Sequence, residues 1–305
     1  MNNFEKDLLA QIADIHDVPQ GAYNIRLNGK LYGRQNSVNI EIQSKEDNPG
    51  INIYIKDNTQ NESVHIPVIV SENNLNDLVY NDFYIGKNCD VIIVAGCGVH
   101  NSSNTQNGHD GIHTFHIGEN SKVKYIEKHL GTGNKSSTRI LNPTTIVNLE
   151  KNSTMVMHTS QLGGVMSAKR TTTANLKENS VLEIKESILT TEHQVASTHF
   201  EVNLDEKNSR ANVVSRSVAK EKSSQEFVSI INGNSPSFGH VECDAIVMDK
   251  ATVSSTPALN SKNSEATLSH EAMIGKIASE QVIKLQTLGL TEEQAVEKIV
   301  QGFLK

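Results

Sequence analysis

Tryptophan is absent from this chain, aromatic residues make up 4% of it, and 305 residues contain 3 cysteines and 6 prolines. A compact core of the ordinary kind draws on large side chains. Their shortage points instead to a long, thin core of Val, Ile, Leu and small residues, as stacked repeats build. Cys89, Cys97 and Cys243 are too few, and odd in number, for a disulfide framework. With no export signal, free thiols in a reducing cytoplasm are expected. No apolar run reaches the ~20 residues that span a bilayer, and MNNFEKDLLAQIADIHDV holds no signal-peptide core, so no membrane attachment is expected. No basic run occurs, and a net charge of −7 with a pI near 5.9 argues against a nucleic-acid surface. Length alone leaves one or two domains open.

What the chain does have is a recurring corner. IGENSKV at residues 117–123 returns as IGKNCDV from Ile85, LEKNSTM from Leu149, LKENSVL from Leu176, LDEKNSR from Leu204 and LNSKNSEA from Leu259. The shared Asn falls at Asn88, Asn120, Asn152, Asn179, Asn208 and Asn263, with gaps of 32, 32, 27, 29 and 55, the last close to two periods. After Gly, Asn accepts left-handed backbone most readily, so it suits a tight corner between strands. Each of the first five corners leads into a β-rich run: VIIVAG, VKYIEKH, MVMHTSQ, VLEIKESIL and ANVVSRSV. A repeated period with no helix between strands predicts an all-β fold, a right-handed parallel β-helix (a β-solenoid) with one period per coil.

The ends of such a stack differ from its interior. Residues 3 to 16 predict a short amphipathic helix with Phe4, Leu8, Leu9 and Ile12 on one face. EAMIGKIASEQVIKLQTLGL places Met273, Ile277, Val282, Ile283 and Leu285 near one helical stripe, stopped by Gly289. TEEQAVEKIVQGF then starts at Thr291 and repeats Ala295, Ile299 and Phe303 at helical spacing. The expected organisation is a capping segment over 1–24, a β-helix core over 25–268 and a C-terminal helical segment over 269–305. That helical hairpin either plugs the open end of the solenoid or docks a partner.

The run from His240 carries several linked motifs: GHVECD, a Pro-x-Leu before a stretch ending in SHEA, the GKI that follows, and the tail GLTEEQA. Together they resemble the SufB/SufD family of iron–sulfur cluster assembly proteins. The likeness is densest from Val213 to Lys305 and traceable back to HIPVIV at His65. Lacking the large N-terminal helical region of many members, the chain resembles a short, core-only version. The resemblance implies a parallel β-helix, in agreement with the repeat. It also implies a scaffold, not an enzyme, that builds nascent iron–sulfur clusters from iron and sulfide with a SufC-like ABC ATPase docked on the C-terminal helices.

On the same resemblance, the cluster-related Cys and Glu of SufB fall at Cys243 and Glu271, and the His of SufD falls at His270. A chain holding all three lets a homodimer present both halves of the interface; a second SufB/SufD-like subunit is the other arrangement. Thiolates are the preferred cluster ligands, His is a known substitute, and a carboxylate is a hard oxygen ligand for incoming iron. Cys243 lies 27 and 28 residues before His270 and Glu271. That is close to one coil, so Cys243 is expected to stack about 5 Å from His270 or Glu271, and such a pair reaches one metal if both side chains face outward. Cys89, by contrast, is expected to be a small buried hydrophobe.

A second group, GCGVHNSSNTQNGHDGIHTFHIG, packs Cys97, His100, His109, His113 and His116 into 20 residues. One reading is a metal or sulfur-relay site, with Gly96 and Gly98 allowing close backbone approach. The other is a solvated polar loop, because His113 and His116 face opposite sides of a strand. Lys124, Glu127, His129, His158, Gln161, Glu183, Lys185, Glu186, Ser215 and Arg216 sit in or beside strand runs. They either line an interior sulfur path, as proposed for SufB relatives, or face solvent on alternate positions; the usual fate of strand polar residues favours solvent. Two enzyme classes stand outside the family: a metal-dependent hydrolase on the Cys97–His116 group, and a carbohydrate-active β-helix with paired acids. The missing Trp and export signal disfavour the second.

Overall fold

The computed structural model describes residues 1–13, 21–161 and 163–305. Helix α1 (Asn3–Ala13) precedes β1 (Ala22–Leu27), β2 (Lys30–Gln35), β3 (Ile40–Ser44), β4 (Gly50–Ile55), β5 (Gln60–Val70), β6 (Asn76–Ile85) and β7 (Asp90–Asn101). Next come β8 (Gln106–Ile117), β9 (Lys122–Gly133), β10 (Thr138–Leu141), β11 (Thr144–Leu149), β12 (Thr154–Gln161), β13 (Ser167–Leu176) and β14 (Val181–Thr190). The chain ends with β15 (Val195–Leu204), β16 (Arg210–Ala219), β17 (Ser224–Gly233), β18 (Phe238–Val247), β19 (Thr252–Ser261), β20 (Thr267–Gly275), α2 (Ser279–Gln286) and α3 (Glu292–Phe303).

From β4 onward, strands alternate between two facing sheets. The first runs β2-β1-β5-β7-β9-β12-β14-β16-β18-β20, and the second β19-β17-β15-β13-β10-β8-β6-β4-β3 with β11 beside β10. The pairings are parallel except β1 with β2 and β3 with β4, hairpins that close both sheets at the N-terminal end. About eight coils stack, so the expected β-solenoid holds. Apolar residues on the inner phase of each strand build one core along its length. Ile53, Phe83, Phe115, Val147, Ala174, Val202 and Ile231 occupy successive rungs of one column, each buried to within 1%.

The corners are built as the repeat predicts. Asn88, Asn120, Asn152, Asn179 and Asn208 have φ between 55° and 60°. Their side-chain amides bond rung to rung at 3.0–3.3 Å, with Asn58 at the head of the ladder. Asn263 departs from the pattern. In the long gap the corner belongs to Pro236, whose carbonyl accepts from the Asn208 N–H at 2.7 Å. Asn263 instead accepts from the Glu265 N–H at 2.9 Å in a local Asx turn. Cys89 fills a slot that serine takes in the next coils; it is 2% exposed, with Sγ 3.2 Å from the Lys56 carbonyl.

Helix α1 lies on the outer face of β5, β7 and β9, burying Leu8, Leu9 and Ile12; Phe4 stays 41% exposed and rests on the His100 ring. Residues 14–16 of the expected helix lie outside the described residues. Glycine is required beneath it: a Cβ on Gly96 would meet the Ile12 carbonyl oxygen at 2.4 Å, and one on Gly98 the Leu8 side chain at 2.5 Å. At the other end, β20 continues to Gly275, so Glu271–Gly275 form strand where helix was expected. Pairing with β18 overrides the local apolar spacing, and Met273 ends 63% exposed. Gly289 (φ 94°) ends the following turn, and Thr291 caps α3 through a reciprocal bond with Gln294. No helix among the described residues is long and apolar enough to cross a membrane.

Candidate functional site

The last coil places the three residues of the family resemblance on two neighbouring strands, in a register that differs from the expected one. Across β18 and β20 the partners are Val241 with His270, Glu242 with Glu271, and Cys243 with Ala272. The local period is thus 29 (272 − 243), and Cys243 stacks on Ala272. Strand alternation then separates the set. Cys243, 2% exposed, and His270 share the luminal phase, while Glu271 lies on the outer face beside Glu242 and is exposed. The condition that the stacked side chains face outward is not met by Cys243 and His270, which point into the solenoid.

Burial pushes the Cys243 thiol up to about 11, with the Ser255 hydroxyl on β19 easing ionisation somewhat. The Nε2 of His270 is buried with no hydrogen-bond partner; burial, and then His240, hold its imidazole below the usual pKa. A single strand of cover lies beyond Cys243. Leu259 on β19 and Ile274 on β20 occupy luminal positions yet are 38% and 43% exposed. Helices α2 and α3 do not cover this end. Helix α3 packs along the flank, where Val300, Val296 and Phe303, with Ile277 from the segment before α2, meet Val218 and Ile246, and α2 packs against α3.

The Cys97–His116 group converges only in part, with Cys97, His109 and His113 lining one small internal cavity beside Glu127 and His129. Cys97, His109 and His113 point into the lumen and are buried, but His100 packs outward against Phe4 and His116 stacks outward on Tyr84, 5.0 Å between ring centroids. Cys97 sits among Val68, Val70, Val99 and Leu141, and burial raises its thiol well above the usual range. Among the described residues, no three His, Cys, Asp or Glu side chains are grouped to hold a metal ion.

A luminal polar network takes in much of this region. Tyr125 donates to Glu127 at 3.0 Å, so its oxygen receives the Nδ1–H of His113 at 2.8 Å, and His113 Nε2 faces the Asn81 amide at 3.3 Å. Glu127 also lies 3.4 Å from His129 Nε2 and binds Arg170, whose Nη2 faces His129 Nδ1 at 3.3 Å. Arg170 Nε is 3.5 Å from Glu186, which accepts from Thr198 at 3.2 Å and Ser215 at 2.9 Å. Against the burial that would raise it, Arg170 and His129 hold Glu127 well below the usual carboxylate range, whereas burial prevails at Glu186 and raises it. Burial lowers His113 to about 4, so its ring is neutral at neutral pH. Deeper toward the N-terminus, Arg26 makes a two-pronged ion pair with Asp77 at 2.7 and 2.8 Å, and His109 Nδ1 lies 3.3 Å from the same carboxylate.

The polar strand residues therefore divide. Glu127, His129, Gln161, Glu186 and Ser215 are luminal, against the expectation of solvent, while Lys124, His158, Glu183, Lys185 and Arg216 face outward. Glu127, Thr159, Glu186, Ser215 and Cys243 occupy five successive rungs of one luminal column. Asp77, Tyr125 and Arg170 belong to the network and carry no motif; the phase of the strand is the signal that would have placed Tyr125 and Arg170 inside.

Comparison with known proteins bears on the same region. A model of the SufBD core domain of the SUF iron–sulfur cluster assembly system matches residues 78–303. An iron–sulfur cluster assembly SufBD family protein of Pyrococcus horikoshii is 29% identical over 289 residues, 90% of this chain and 84% of that protein. One of Archaeoglobus fulgidus is 27% identical over 229 residues, 74% of this chain and 60% of that protein. The assembly protein SufB of Bacillus subtilis is 32% identical over 102 residues, 32% of this chain and 22% of its own length.

Proposed function

The chain belongs to the SufBD family of iron–sulfur cluster assembly, and from that premise we propose that it is a cytoplasmic scaffold on which a nascent cluster is held as cargo at the open end of the solenoid. Two copies meet end to end across β19 and β20, or one copy meets a second SufBD-type subunit. A two-fold axis there brings each Cys243 and His270 opposite its own copy. Among the described residues no three such side chains converge to hold a metal ion, so the site is completed by the partner. Glu271, exposed on the outer phase of β20, is placed to take up iron as a hard oxygen ligand.

The observation that carries this reading is the uncapped last coil. Two edge strands, exposed luminal Leu259 and Ile274, and an imidazole nitrogen with no partner lie one strand beyond Cys243. A buried thiol of raised pKa is a poor ligand until metal displaces its proton or the coil opens. An ABC-type ATPase bound to α2 and α3 would act on the flank formed with Val218 and Ile246, the latter on the strand that carries Cys243. All three cysteines are free and buried, as a reducing compartment would keep them. The luminal column ending at Cys243 supports the internal sulfur route that the family resemblance implies. The hydrolase alternative has no such support, because among the described residues no three of its side chains are grouped to hold a metal ion.

Anaerobic reconstitution with iron and sulfide tests the reading on Cys243→Ser and Cys89→Ser. Cluster absorbance is expected to vanish in the first and to stay near wild type in the second, where serine suits the corner. Equal iron and sulfide in wild type and Cys243→Ser would refute the site.

A further inference from the structure

Away from the last coil, the outer face of the sheet carrying β9, β12, β14 and β16 is charged in a way its surroundings do not offset. Lys122, Thr154, Val181 and Arg210 form one outward column; Lys124, Val156 and Glu183 form the next; Ile126, His158 and Lys185 form the third. Neighbouring rungs lie about 4.8 Å apart, so His158 sits beside Lys185 and diagonal to Lys124. Burial, and then these two ammonium groups, lower the His158 pKa.

The lysines on the neighbouring corner of the solenoid are paired. Lys87, Lys151, Lys177 and Lys207, along the asparagine corner, each reach a glutamate at 2.8–3.3 Å. Lys122, Lys124, Lys185 and Arg210 are exposed and form no ion pair among the described residues. Asp90 and Glu183 are the acidic side chains nearest to them along the columns, too few to balance the cations. The patch runs into a shallow groove lined by Val181, Arg210, Asn212, Phe238 and His240, in which Phe238 is 43% exposed. Arg210 thus sits beside an exposed aromatic ring.

We propose that this face docks a short acidic polypeptide segment bearing an apolar residue, belonging to a protein that exchanges clusters with the scaffold. Its purpose rests on the scaffold reading; its binding does not. The chain as a whole carries −7, so a long polyanion or an anionic bilayer meets repulsion beyond the patch. A short segment within a Debye length of about 8–10 Å meets the patch itself. The column of His158 and Lys185 continues through Val214 and Glu242 to Glu271. Lys185 is therefore three rungs, about 14 Å, from the terminal strand, and a docked partner would sit beside the open end.

The test uses the full chain and a fluorescein-labelled, glutamate-rich peptide with one central phenylalanine, read by fluorescence anisotropy. Wild type is expected to bind, more weakly as salt rises. Lys124→Glu with Lys185→Glu is expected to weaken binding at least about tenfold, Phe238→Ser to weaken it less, and Lys87→Glu to leave it unchanged. Iron and sulfide content after reconstitution should match wild type in the double variant. No binding by wild type, equal loss in Lys87→Glu, or tighter binding of single-stranded DNA or anionic vesicles than of the peptide would each overturn the proposal. A wild type that takes up no cluster would sink the scaffold reading while leaving the peptide result to be judged alone.

Discussion

Replacing Arg170 by Met tests whether the luminal network is held as described. The guanidinium lies between two buried carboxylates, bonded to Glu127 and 3.5 Å from Glu186, and is 7% exposed. Methionine keeps much of the apolar stem and removes the cation. Both carboxylates then stay in the lumen without their counter-charge, and breaking a buried pair in this way costs about 3–5 kcal/mol. At about 2 °C per kcal/mol for a long chain, the thermal midpoint is expected to fall by roughly 6–10 °C. Glu186→Gln should behave differently. Burial already raises the pKa of Glu186, so an amide there replaces a group that folding prefers neutral, and the expected change is within about 1 kcal/mol of zero.

The pH dependence gives the sign. Glu127 is depressed below the ordinary glutamate range, so its contribution is present above that range and is lost as pH falls through the folded pKa. Glu186 is raised, so its contribution is present at low pH and is lost as pH rises through its folded pKa. In Arg170→Met both carboxylates are pushed upward by unrelieved burial. The deficit is then largest at about pH 8 and shrinks toward about pH 5 as they take protons. Urea unfolding followed by circular dichroism at both pH values measures it. A gap under about 1 kcal/mol at the higher pH, or one equally large at the lower, would refute the assignment of Arg170 as the cation these carboxylates require.

Two further outcomes follow from the packing. Gly96→Val puts a side chain where the Ile12 carbonyl oxygen would be 2.4 Å from its Cβ. Helix α1 should lift, at a cost of about 1–3 kcal/mol, and residues 1–13 should become protease-sensitive while the strand signature persists; unchanged protection would place the helix elsewhere. Ile277 packs into the flank with Val300, whereas Ile283 and Leu288 are 57% and 76% exposed. Ile283→Asp with Leu288→Asp should therefore abolish co-purification of an ABC-type ATPase without unfolding the solenoid, and wild-type recovery would move the docking surface away from α2.

The architecture was legible because its constraint is local and repeated. An Asn at φ near 60° ends each of five corners, and a residue able to hold that backbone is readable wherever it recurs. At Pro236 the corner carries no Asn, so the repeat has no sequence mark there, and Asn263 resembles the motif without forming the corner. The last coil failed for a related reason, since a register of 29 puts Ala272, not His270, on Cys243. His270 and Glu271 are consecutive on a strand, so they cannot share a face.

The luminal network was half legible by the same rule. In VKYIEKH, Val123 and Tyr125 mark the core phase, which carries Glu127 and His129 inward and leaves Lys122 and Lys124 outside. In VLEIKESIL, Leu182 and Ile184 do the same for Glu186. What phase cannot supply is the partner. Glu127 on β9 meets Arg170 on β13, 43 residues away on the facing sheet. Which residue of one sheet stands at the height of a given residue of the other depends on corner lengths that vary from coil to coil. A buried carboxylate found by phase therefore announces that a cation must lie across the lumen, and the fold decides which one.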